Sequence, residues 1–187
     1  MKKKYLAVLI VVLALVNVQL FLSTDNLCSL IVYADGTPDS YGNRIVGLWV
    51  EEWNDTLGDY QSPYGQCKKL VTYDGTNTFD GLTIHSNGAS MDIIAYTANA
   101  ELKVYDNRAL KIIVKCAGNK TLISNPSTEM RCYINITGVV SNQQMTYDSY
   151  ESGSNFYVVK YYYVWNSTGE PTAGTDYTVK VWYEAYY

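Results

Sequence analysis

The chain has a single histidine, His85, in 187 residues. A catalytic triad needs a histidine poised beside a nucleophile, and a His-based metal centre needs several, so neither can be built around it. His85 also alternates with Leu82 and Ile84, which take the buried face of their run and turn the imidazole toward solvent. Charge is scarce, at 17% Asp, Glu, Lys and Arg, and phenylalanine appears three times against 19 tyrosines. The four cysteines form no CxxC or CxxCH pair, which removes the usual zinc and haem spacings. No helical period is visible after residue 34, and there is no internal repeat or low-complexity linker.

What is present begins with an export signature. Lys2-Lys3-Lys4 precedes an apolar-rich run from Tyr5 to Val16, and the run closes with Leu20-Phe21-Leu22. A basic start followed by an apolar stretch is the pattern of a secretory signal peptide. The second reading is a retained membrane anchor, because Leu6 to Leu22 is 17 residues, the short edge of what spans about 30 Å of hydrocarbon. Two cleavage points compete. Ser23-Thr24-Asp25-Asn26 is the first polar break, and Val32-Tyr33-Ala34 is the better small-residue pattern. No lipobox precedes Cys28, and a pilin-type signal is poorly matched.

Cleavage before Asp25 takes the 14 Lys and Arg down to 11 against 18 Asp and Glu, a net charge of −7. Such a chain offers no basic face to a nucleic acid. Low charge with many Tyr, Thr, Asn and Ser is a secreted-surface composition, and tyrosine suits half-buried strands and wet contacts. The expected organisation is a signal or anchor over 1–23, an N-terminal strand and tether over 24–44, and one β-sandwich domain over 45–187. Membrane contact is expected only through the first segment.

Short alternating or apolar runs, separated by Gly, Asn, Asp and Pro clusters, predict strands. They fall at Ile45–Trp53, Cys67–Tyr73, Leu82–Ser86, Met91–Ala98, Glu101–Tyr105, Leu110–Cys116, Arg131–Val140, Gln144–Tyr150, Phe156–Trp165 and Tyr177–Tyr186. Turn chemistry at Asp106-Asn107 predicts a hairpin from Glu101 to Cys116. Phe156–Trp165 is apolar on both faces, the mark of a central or covered strand. The fold class expected is an all-β, two-sheet antiparallel sandwich, Ig-like or jelly-roll, behind an N-terminal hydrophobic helix.

An even cysteine count in an exported chain favours disulfides. Cys116 shares a face with Ile112 and Val114, and Cys132 with Ile134 and Ile136, so both point to the core and pair as Cys116–Cys132. That leaves Cys28 with Cys67, joined between two chains or within one, the latter with Leu27–Tyr33 as an ordinary edge strand. Four sequons, at Asn54, Asn119, Asn135 and Asn166, sit at turns, strand ends or an outward strand face, where N-linked glycans would not disturb a core. Asn125 precedes a proline and is excluded.

No reaction chemistry emerges. Asp74 to Gly81 concentrates oxygen ligands but lacks the spacing and closing Glu of an EF-hand, so a pair of turns explains it and calcium is not expected. Glu51 and Glu52 lie near Trp49 and Trp53, yet adjacent strand residues face opposite sides and cannot flank one glycosidic bond. The chain is read as a non-enzyme without cofactors. The tyrosines from Tyr161 to Tyr163 offer a surface for stacking on a sugar, although packing between sheets is their commoner use.

Leu27-Cys28-Ser29-Leu30-Ile31-Val32-Tyr33 is a strand-sized apolar run, and Asp35 to Arg44 is a polar, turn-rich link. After a cut near Ser23–Asn26 the mature chain would begin with an apolar strand on a tether, and such a strand needs a partner sheet. Lending it to the next subunit is donor-strand pairing, a heterologous contact that propagates into a filament. The layout resembles the thread filaments and bundling pili of thermophilic archaea. The shared features are the Lys2–Leu22 signal, the Leu27–Tyr33 strand, the Asp35–Arg44 tether, the four sequons and the Tyr-rich strands from Phe156 to Tyr187. The resemblance implies a glycosylated extracellular homopolymer. The alternative expectation is a secreted or membrane-anchored adhesion module that binds carbohydrate.

Overall fold

The computed structural model describes residues 27–35, 37–61, 76–79, 82–85, 90–92, 97–105, 108–166, 169 and 171–187. In chain order the strands are β1 (Leu27–Asp35), β2 (Arg44–Asn54), β3 (Asp59–Gln61), β4 (Thr76–Phe79), β5 (Leu82–His85), β6 (Ser90–Asp92) and β7 (Thr97–Tyr105). They continue with β8 (Leu110–Asn119), β9 (Met130–Ile136), β10 (Val140–Gln144), β11 (Thr146–Ser152), β12 (Phe156–Trp165) and β13 (Asp176–Ala185). One helical turn, α1 (Pro126–Glu129), precedes β9.

Two large sheets result. One has the order β10-β9-β13-β1-β7, and the other the order β11-β12-β8-β2-β3 with β6 also on β2; β4 and β5 pair separately. The fold is all-β, as expected. Every pairing described is antiparallel except β1 with β13, which is parallel, so the purely antiparallel expectation is corrected at that one junction.

Alternation explains the core. Inward residues of the first sheet (Leu30, Val32, Ile134, Ile136, Val179, Val181) meet those of the second (Ile45, Leu48, Val50, Ile112, Val114, Val159, Tyr161, Trp165) in one buried cluster. Residues that alternate in sequence present one face, and burying each aliphatic side chain contributes about 1.5–3 kcal/mol. A β-bulge between Ile45 and Gly47 turns Val46 outward, where it packs with Ala117, Val158 and Phe156. β12 lies inside its sheet between β11 and β8, the position its two apolar faces require.

The hairpin expected across Asp106-Asn107 does not form. β7 pairs with β1 in one sheet, while β8 pairs with β12 and β2 in the other. The reason is in β8, where Ile113 and Ala117 are buried as well as Ile112, Val114 and Cys116. A strand apolar on both faces needs an inner position with a neighbour on each side. The run Arg131–Val140 is also broken. Gly138 (φ +76°) turns the chain between β9 and β10, and Met145 leaves the second run to enter the core.

One edge of each sheet is blunt. β10 carries Ser141, Asn142, Gln143 and Gln144 and a bulge, and every residue of β11 is exposed. On β11, Asp148 pairs with Lys160 at 3.4 Å and Glu151 with Lys115 at 3.5 Å. Polar, charged or bulged edges resist pairing with another sheet. The expected N-terminal helix and the strand Cys67–Tyr73 lie outside the described residues. Among those described, no helix is long and apolar enough to cross a membrane.

Candidate functional site

The strand expected to serve as a donor is β1, and in this single chain it is not exposed. It lies inside its own sheet, parallel to β13 (Ser29 opposite Asp176, Ala34 opposite Val181) and antiparallel to β7 (Leu27 opposite Tyr105, Asp35 opposite Thr97). Cys28, Leu30, Val32 and Ala34 are buried to within 1% of full burial, whereas Tyr33 is 37% exposed. The alternating sequence thus gives an inner face wedged into the core and an outer face on the surface. Cys28 Sγ donates to the Val104 carbonyl at 3.5 Å, and Ser29 N donates to the Thr175 carbonyl at 3.1 Å. Removing β1 would leave two strands with unpaired backbone and open the core between them.

The link from β1 to β2 is more structured than a flexible tether. Asp39 Oδ1 accepts from Tyr41 N at 2.8 Å and Asn43 N at 3.0 Å, and Asp39 Oδ2 accepts from Asn43 Nδ2 at 2.8 Å. Gly42, at φ +82°, closes the turn by donating to the Asp39 carbonyl at 3.0 Å. An aspartate that accepts from the backbone ahead of it, followed by a left-handed glycine, is the local chemistry of such a turn. The turn is tied to the body as well. Fully buried Asn43 accepts from Asn119 N at 2.7 Å, Tyr41 O accepts from Asn119 Nδ2 at 2.8 Å, and the Tyr183 hydroxyl donates to Asn43 O.

Cys116 and Cys132 are brought together across the two sheets as buried free thiols with hydrogen-bonded side chains. Burial, then the hydrogen bond and charge of Cys132, push the Cys116 thiol well up. Tyr161 lies beside them. Burial first, then Cys116 and Cys132, push its phenol up too. Its hydroxyl is buried without a hydrogen-bond partner. Cys67, the proposed mate of Cys28, lies outside the described residues.

The sequon asparagines differ in their surroundings. Asn54 Oδ1 accepts from Thr56 N at 2.9 Å in a tight turn. Asn119 has its amide nitrogen, the atom a glycan would occupy, already donated to Tyr41. Asn135 sits on the outward face of β9 opposite Lys180, accepts from Asn142 N, and lines an open cleft of about 290 Å³ with Thr137, Ser141 and Thr178. Asn166 is exposed just after β12.

Glu51 and Glu52 do part to opposite faces. Glu51 accepts from Trp49 Nε1 at 3.1 Å on the outer side, and Glu52 is buried. On the outer face of the second sheet, Trp53 meets Tyr60 edge-on at 5.1 Å, and Lys111 lies over Tyr60 and Tyr162. A further cleft of about 450 Å³ beside Trp165 and Tyr177 carries threonines and one carboxylate, Asp176. Among the described residues, no three His, Cys, Asp or Glu side chains converge. The oxygen-rich loop 74–81 lies outside them apart from β4, and the side chain of His85 does too. No family model, no characterised protein and no solved structure matches the chain.

Proposed function

We propose that this chain is an extracellular structural subunit that polymerises by lending β1 to a neighbouring copy, within an Ig-like or jelly-roll sandwich. The observation that carries the reading is the place of β1. An N-terminal strand with a fully buried face fills an inner slot of a sheet, and its only covalent tie to the body is a short link. A copy's own β1 and a neighbour's β1 make the same contacts there, so exchange costs little in contacts and gains connectivity. The polar and bulged edges at β10 and β11 favour this route over edge-to-edge growth. The export signature and the four sequons fit the same surface role.

A locked slot tests it. Ile31 is opposite Glu101 in the β1–β7 register, so Ile31→Cys with Glu101→Cys in one chain ties the strand to its own sheet. The expected outcome is that the oxidised double variant stays monomeric by light scattering and electron microscopy, and assembles once reduced. Equal assembly in both states would remove strand lending.

The second reading, a carbohydrate-binding adhesion module, is favoured by the row Trp53, Tyr60, Lys111 and Tyr162 on the outer face. Aromatic faces with a flanking cation suit sugar rings. Loss of glycan-array binding in Trp53→Ala, with assembly unchanged, would support it.

A further inference from the structure

The link between β1 and the body sets how far apart two copies sharing a strand can stand. The turn from Asp39 to Asn43 moves with its own body, since Asn119 and Tyr183 hold it from β8 and β13. A side chain on Gly42 would place its Cβ 3.3 Å from Phe156 Cζ, so β12 packs against the turn too. Only residues 36–38 separate the end of β1 from this clamp. Four Cα steps span at most about 14 Å even when fully extended.

That reach fixes which surfaces meet. β1 ends at the pole of the sandwich where β13 ends and β2 begins, and the clamp sits at the same pole. A β1 seated in another copy therefore emerges from that copy within about 14 Å of the donor's clamp. The pole carries three exposed tyrosines. Tyr41 (46% exposed) and Tyr187 (61%) meet edge-on at 5.3 Å, and Tyr186 (44%) lies against the Arg131 guanidinium at 4.7 Å. Tyrosine and arginine grouped this way are what protein interfaces concentrate: large apolar faces with a polar tip, fixed at low entropic cost.

We propose that the face formed by Tyr41, Tyr186 and Tyr187 is the contact surface for a second copy of this chain. The inference rests on the strand-lending reading and adds the surface on which the two bodies touch. The strand supplies most of the joined area, and the tyrosines set the angle between bodies and add affinity.

The test uses the full chain with a photo-crosslinking phenylalanine derivative at position 187, in a mixture of ¹⁴N- and ¹⁵N-labelled copies. Leu57 is equally exposed at 61% but follows the other end of β2, so the same derivative at 57 is the control. Mixed-isotope crosslinks are expected from 187 to peptides of the same pole, those carrying Asn119, Glu129 or Phe156, and not from 57. Tyr41→Ser with Tyr187→Ser is expected to weaken association about tenfold, a loss of about 1.4 kcal/mol, with the melting temperature of the monomer lowered by no more than a few degrees for the lost ring pair. Assembly by strand exchange without mixed-isotope crosslinks at 187 would overturn the surface while leaving strand lending intact. A closed dimer with those crosslinks upholds the surface and removes the filament. A strict monomer removes the surface together with the reading beneath it.

Discussion

Asn43 shows how much one buried side chain can organise. It is fully buried, receives the Asn119 backbone N–H at 2.7 Å and gives its own amide to Asp39 at 2.8 Å. Alanine there would strand a backbone donor, which costs about 1–3 kcal/mol. Urea unfolding of Asn43→Ala should show a lower midpoint, equivalent to that loss at an unchanged m-value; an unchanged midpoint would mean the clamp is not held this way. Tyr161 is the opposite case. Its hydroxyl is buried without a partner, so Tyr161→Phe removes an unmet group and keeps the packing. The variant should be as stable or more stable by about 1 kcal/mol in the same assay. The neighbouring Cys116 and Cys132 are expected to close into a disulfide in an oxidising compartment. The loop between them is of a length for which closure is worth about 3 kcal/mol, or about 6–12 °C in melting temperature for a domain of this size. Thiol titration of the unfolded protein after oxidation, together with melting curves with and without reductant, checks both parts.

At the scale of elements, alternation carried most of the information. β2, β12 and β13 lie within a residue of the runs seen in the sequence, and β8 within three, because each has a clear inner face. Cys116 and Cys132 were legible for the same reason. The pairing of strands was not, since it depends on neighbours remote in sequence. The turn signal at Asp106-Asn107 was a local cue, and the two-faced burial of β8 overrode it. The turn α1 was readable in principle. Asn125 accepts from Ser127 N at 3.3 Å, Pro126 follows, and Glu129 reaches back to Ser124 N at 2.7 Å, which is helix-start chemistry spelled out in order. For β1, composition gave an apolar strand needing a sheet. An ordinary edge strand of the chain's own sheet is one of the two readings; that β1 sits inside that sheet, not at its edge, and pairs with β13 in parallel, came only from the structure. Because Leu30 is wholly buried, Leu30→Ala should cost about 2–5 kcal/mol. On the strand-lending reading the same contacts are lost whether β1 sits in its own slot or a neighbour's, so monomer and assembly should be destabilised alike, and a loss confined to the monomer would separate β1 from assembly.

For the whole molecule, where any signal is cut and the fate of β1 are one question. Cleavage near Ser23–Asn26 keeps β1, whereas cleavage after Ala34 discards it and leaves an open slot between β7 and β13. The central claim is that β1 crosses from one copy to the next. It is tested most directly by mixing two single variants, Ile31→Cys and Glu101→Cys, under assembly conditions, oxidising the mixture and mapping linked peptides by mass spectrometry. These two residues are register partners across β1 and β7. Strand lending predicts an interchain 31–101 disulfide in the assembled fraction. An assembled fraction in which that link is absent, with β1 still seated in its own sheet, would contradict the account.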